Sequence, residues 1–177
     1  MFVPLKHYDL HTGPGGTIFS PQELATVSEW ISCHPHMRPR TPEDLAASKT
    51  AALSIWTCAR AFCTLSRLPD TSGGTLIGSC IVDPEHTGKR YLLMLLRYVM
   101  RTNDDTLLAI SVSDPFIACA KKAGFESHTI NTLSDDLAES ALLSTSNAEK
   151  KTFLVRPAIP WTGLNRNQSA KYHGFRT

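Results

Sequence analysis

Apolar positions recur at helical spacing in three stretches of the chain. Leu24, Val27, Trp30 and Ile31 share a face behind Ser20-Pro21-Gln22-Glu23, where Ser caps, Pro suits the first turn and Glu falls three residues after the cap, predicting a helix to about Ser32. Thr41-Pro42-Glu43-Asp44 repeats the signature and opens a second helix. Its end is left open, since Leu45, Ala52, Leu53 and Trp56 keep helical spacing while Leu53 to Thr64 also suits one strand or two; a strand is placed within 51–66. Lys89 to Arg101 is the most regular helix, with Leu92, Leu95, Leu96 and Val99 on one face and Arg90, Arg97 and Arg101 on another. Short continuous apolar runs predict buried strands at Thr75–Val82 and Thr106–Val112, with further strands at Phe125–Ile130 and Lys151–Arg156. Asp114-Pro115 starts a short helix that Gly124 ends, and Asp135 to Leu143 is a helix inside a polar insertion over 131–149. Weaker strand signals, Phe2-Val3 and Thr17-Ile18-Phe19, flank a turn at Gly13-Pro14-Gly15-Gly16, and Cys33 to Arg40, with Pro35 and Pro39, is a loop.

At 177 residues, 42% apolar and 19% charged, this is one globular domain with a real core, read as residues 1–156 followed by a basic tail over 157–177. The net charge of +2 does not argue for nucleic acid, but its distribution is uneven. Lys150, Lys151, Arg156, Arg166, Lys171 and Arg176 close the chain without an Asp or Glu, and Lys89, Arg90, Arg97 and Arg101 form a second acid-free group. The five cysteines form no C-x-x-C pair, the first residues show no leader pattern, and the longest apolar stretch, Leu92 to Met100, is broken by Arg97. The expectation is an intracellular, reduced, cytoplasmic protein that does not enter a membrane.

A strand, a Gly-containing loop, a helix, and then a second strand and helix form an α/β unit whose loop can hold phosphate on the free N–H groups of the helix start. Two phrases make the likeness more specific. Val82-Asp83-Pro84-Glu85-His86-Thr87-Gly88-Lys89 runs from a strand into a basic loop, and Lys121-Lys122-Ala123-Gly124-Phe125 ends the following helix. Together they resemble the cofactor half of the GCN5-related N-acetyltransferases (GNAT), over about fifty residues. The resemblance implies an α/β (α+β) fold with a mixed, mostly antiparallel central sheet, a splayed parallel strand pair and flanking helices. It also implies an acyl-CoA cofactor, acetyl-CoA or another, held by Ile81, Val82, Thr87, Gly88, Lys89, Arg90, Tyr91, Leu92 and Ser113.

The chain departs from that family's pattern. Thr87 stands for its Arg or Gln, and Arg90 and Leu92 replace two small residues that let backbone approach the pyrophosphate. The family's acid, a Tyr, falls at Ala120, and its helix-opening Asn at Ser113. Substitute catalytic groups are Tyr91, Cys80 and Ser113, with His86, Glu85 and Cys119 also nominated. Cys33-His34-x-His36, with His7 and His11, lacks the spacing of a tetrahedral zinc site, so no metal is expected. Three functions compete: an N-acyltransferase joining an acyl group to an amine acceptor; an inactive module of a larger assembly, such as a phage virion, docking a protein partner through the basic tail; and, least supported, a nucleic-acid binder using Trp161, Tyr172 and Phe175 between basic residues.

Overall fold

The computed structural model describes residues 8–55, 58–69 and 74–159. Phe2-Val3, His7, the turn around Asp70 and the tail anchors Trp161, Tyr172 and Phe175, with the partner-docking role given to that tail, lie outside the described residues.

One sheet organises the chain. Its strands are β1 (Tyr8–Pro14), β2 (Lys49–Ile55), β3 (Cys58–Arg67), β4 (Thr75–Val82), β5 (Leu107–Ser111), β6 (Glu126–His128) and β7 (Thr152–Arg156), in the spatial order β1-β2-β3-β4-β5-β7-β6. Every neighbouring pair is antiparallel except β4 and β5, which run parallel. The helices are α1 (Gly15–Ile18), α2 (Pro21–Cys33), α3 (Pro42–Ala47), α4 (Tyr91–Thr102), α5 (Asp114–Ala123) and α6 (Asp135–Ser144). None among the described residues is long and apolar enough to cross a membrane.

Strand alternation sends side chains to two faces. Ala51, Leu53, Ala61, Ile77, Leu107 and Ala109 meet α4 and α5 in the main core. The opposite face divides in two: Ala52, Phe62 and Ile81 pack under α2 and α3, whereas Leu108, Phe153 and Val155 pack with Ala141 of α6.

Both predicted capping boxes form. Ser20 Oγ accepts from Glu23 N while the Glu23 carboxylate accepts from Ser20 N at 2.9 Å, and Thr41 and Asp44 do the same for α3. Two expectations near the start are corrected. Gly13-Pro14-Gly15-Gly16 is not a turn leading into a strand at Thr17-Ile18-Phe19: β1 ends at Pro14, and Gly15 to Ile18 form a helical turn, with Gly15 N donating to Ser48 O at 2.9 Å. α3 is short, and the helical spacing beyond it is coincidental. β2 lies between two strands with helices over both faces, so consecutive residues are buried there.

Candidate active site

β4 and β5 pair only through Thr75–Leu107, Leu76–Leu108 and Ile77–Ala109. Beyond that point β5 stays with β7, as Ile110 opposes Phe153 and Ser111 opposes Thr152, while β4 stays with β3. The separation coincides with a bulge. The β3–β4 register slips between Phe62 and Thr64, and Ser79 takes a left-handed φ of 46°. A bulge bends and overtwists its strand, here leaving the Gly78–Val82 edge without a partner strand on the β5 side. The gap widens into a cleft of about 820 Å³.

The loop from β4 to α4 forms one end of the cleft and is fixed from below. The Asp83 carboxylate, buried at the strand end, accepts from Arg60 of β3, from His86 Nδ1 at 2.8 Å and from Glu85 N at 3.1 Å. Burial alone would raise this carboxyl's pKa, but the Glu85 N–H, Arg60 and His86 together hold it below the ordinary value. Asp83, Glu85 and His86 sit close enough to suggest a cation site, yet the guanidinium of Arg60 already supplies the positive charge there.

Thr87, Gly88, Lys89 and Arg90 then turn the chain into α4. Gly88 has φ +78° and Arg90 φ +63°, two left-handed residues in three. A Cβ on Gly88 would enter open space rather than protein, leaving a cradle beside the backbone. The first helical bond is Met94 N to Arg90 O, so Tyr91, Leu92 and Leu93 N–H have no acceptor within the helix, no side chain caps them and no acid lies in the first turn. This end suits an anion. The pyrophosphate of coenzyme A therefore fits the donor set, because Arg90 occupies a Gly position with its backbone still in the left-handed conformation.

The other expected site residues lie around this loop. Ile81 and Val82 line the β4 wall. Tyr91 reaches the cleft but is only 4% exposed, its ring 6.4 Å from those of Tyr8 and His86, and it joins Leu92 on the α4 core stripe. Leu92 is half-buried, packing against the core and lining the cleft as well. Cys80 is on the β4 wall, and a hydrogen bond with Cys63 together with burial pushes its pKa well up, so it stands as a neutral thiol. Ser113 opens α5 without a side-chain capping bond, its N–H donating to Ser111 Oγ at 3.0 Å. Cys119, also on the cleft, is raised by burial against the pull of Lys122 and Arg97. Ala120 is fully buried, so no acid stands at the position of the family's Tyr.

Two cations counted in the acid-free basic groups are engaged in bracing the fold. Arg97 donates to Lys122 O at 3.4 Å, tying α4 to α5. Arg156, counted with the basic end of the chain, is buried; it donates to Asn103 O, and to Asp104 O at 3.3 Å.

The opposite mouth was not anticipated. The α2–α3 loop brings His34, His36, Met37 and Arg38 to one flank, and the end of α6 with the residue before β7 brings Ser144, Thr145 and Lys151 to the other. His34 Nδ1 accepts from His36 N at 3.3 Å, and the two rings meet edge on at 5.9 Å. The pair dismissed as a metal motif thus faces the cleft. Packing of α2 and α3 on β2, β3 and β4, tens of residues away, placed it there, and no local signal marked it.

No protein-family model and no curated protein matches the sequence. Solved structures do. The chain superposes on N-acetylglutamate synthase from Neisseria gonorrhoeae, complexed with coenzyme A and N-acetyl-glutamate, at a TM-score of 0.63 and 14% identity, over 86% of this chain and 35% of that one. It therefore spans about a third of that protein's length. It also matches an N-acetyltransferase from Staphylococcus aureus (0.59, 11% identity, 85% of this chain and 98% of that one). A third match is diaminobutyrate acetyltransferase from Paenibacillus lautus, in complex with its substrate and coenzyme A (0.56, 11% identity, 86% and 96%). With its one parallel pair opening into a cleft within an otherwise antiparallel sheet, the chain has the fold of the GCN5-related N-acetyltransferases.

Proposed function

We propose that the chain is an acyl-CoA-dependent N-acyltransferase whose reaction takes place in the β4–β5 cleft. The observation that carries this reading is the loop Thr87–Arg90. It keeps left-handed backbone at Gly88 and Arg90 and an uncapped, acid-free helix start, although its sequence has lost the family's small residues. Structural neighbours with coenzyme A bound support the ligand class.

The N–H groups of Tyr91, Leu92 and Leu93 would hold the pyrophosphate, with Lys89 and Arg90 beside it. The free edge of Gly78–Val82 offers backbone donors and acceptors to the amides of the pantetheine arm, as a sheet edge does for an added strand. Acyl-CoA, when bound, supplies a thioester whose acyl carbon forms a C–N bond to the amine as the C–S bond breaks, the sulfur leaving with the bonding pair and the amine proton passing to water. Ser113, whose hydroxyl makes no capping bond, is the polar side chain of α5 nearest the role of donor to that sulfur. Catalysis then rests mainly on holding amine and thioester together, which can remove much of a bimolecular barrier without a dedicated acid.

Binding to the native state must stabilise it, so saturating acetyl-CoA raises Tm; no shift overturns the proposal. The buried Ala120 favours a second reading, a coenzyme A binder without catalysis. A Tm shift with no thiol released across a panel of amines would select that one.

A further inference from the structure

The cleft has two mouths, and only one is explained by coenzyme A phosphates. Lys89 and Arg90 stand at the start of α4, on the face of the sheet that α4 and α5 cover. On the other face the core divides between the α2–α3 layer and α6, and the cleft opens between those layers. Arg38 lies on one flank of this second mouth and Lys151 on the other, with His34 and His36 beside Arg38. Arg38 is exposed; Lys151 is half-buried and donates to Thr145 Oγ1.

No described residue lining the cleft is Asp or Glu, at either mouth. A polyamine or the side chain of a basic residue would enter as a cation and meet the full charges of Arg38 and Lys151, offset only by the partial charge of the carbonyls ending α2 and α6. An acceptor with an anionic group of its own would meet two cations set across the mouth. The same field would lower the pKa of the acceptor's ammonium and favour the neutral nucleophile, which compensates for the lack of a carboxylate base on the walls.

Resting on the acyltransferase reading above, we infer that the acceptor is a small amine carrying an anionic group, a carboxylate or a phosphate, held between Arg38 and Lys151. The amine nitrogen then faces the β4 wall while its anion stays at the mouth.

The test uses the full chain saturated with coenzyme A, so that no turnover is needed. Glutamate, O-phosphoethanolamine and spermidine are titrated into it by calorimetry. The two anionic amines bind at least about tenfold more tightly than spermidine, and the tighter of the two tells carboxylate from phosphate. Arg38→Gln and Lys151→Gln each weaken the anionic amine about tenfold and leave the affinity for coenzyme A unchanged. Spermidine binding equally well or better, no anionic amine binding, or both variants binding it like the wild type would overturn the inference. Failure of coenzyme A itself to bind would instead remove the acyltransferase reading. Because Arg38 is exposed, its variant folds like the parent, and a matching Tm confirms that.

Discussion

Arg90 holds a backbone conformation that its side chain disfavours. A residue with a Cβ at φ +63° is strained by about 1–2 kcal/mol, and here the strain falls on the residue that turns the chain into α4. Arg90→Gly should therefore raise stability by about 0.5–1 kcal/mol, after allowing for glycine's freedom when unfolded, visible as a higher denaturant midpoint at unchanged slope. The sequence pattern marked this position as a departure from a phosphate loop; that the backbone keeps the loop's conformation was not legible from residue types. Asp83 carries a second prediction. Its carboxyl pKa is lowered in the fold, so its stabilising contribution is complete above the ordinary carboxylate value near ~4 and is lost as pH falls through the lower folded value. Asp83→Asn should cost about 2 kcal/mol at pH 7, since Arg60 and His86 lose an anionic acceptor, and should flatten the acid limb of the stability profile. A variant as stable as the parent at pH 7 would mean that the loop is braced elsewhere.

Strand β4, the loop and helix α4 act as one device: a bulged strand leaves its neighbour, and the loop after it presents N–H groups at the gap. Gly88→Val tests it. At φ +78° a β-branched residue is strained by at least about 1–2 kcal/mol, and its Cβ would occupy the open space beside the backbone. The variant should still fold but lose the Tm increase given by coenzyme A; an undiminished increase would place the phosphates elsewhere. Elements whose partners are close in sequence, or whose caps are explicit, were legible: α2 from Ser20-Pro21 and Glu23, α5 from Asp114-Pro115 and Gly124, and β4 and β5 from their apolar runs. Position 91 shows the limit of that reading. Leu92 fitted the amphipathic stripe by spacing and packs against it, but the start of α4, set by Arg90's left-handed turn, buries Tyr91 more deeply and leaves Leu92 partly facing the cleft. β1, the turn at Gly15 and the breadth of the β2–β3 hairpin depend on pairing across tens of residues, as Gly13 opposes Thr50 and Lys49 opposes Leu65. Local pattern carries nothing of that, nor of the bulge at Ser79.

Charge is near balance over the whole chain, at +2, yet the cleft is lined by cations and histidines without a described acid. The acids lie elsewhere: Glu23, Glu43 and Asp44 at helix starts, Asp83 beneath the loop, and Asp135 and Asp136 opening α6. A small net charge therefore conceals a site with a strong local field, which low-dielectric walls such as Ile81, Leu92 and Phe116 would focus. A ligand bearing several phosphates should feel that field in proportion to its screening. At 0.1 M salt the Debye length is about 10 Å, and at 1 M about 3 Å. Coenzyme A affinity should accordingly fall about tenfold or more between 0.05 and 0.5 M NaCl, as read by calorimetry, while the ligand-free Tm moves little because the Asp83–Arg60 pair is largely buried. Pantetheine, which has the arm but not the nucleotide phosphates, should bind weakly and without that salt dependence. If coenzyme A affinity were equally insensitive to salt, the field would contribute little. The backbone donors of α4 and the free edge of β4 would then be the source of binding, leaving Lys89 and Arg90 with no part in it.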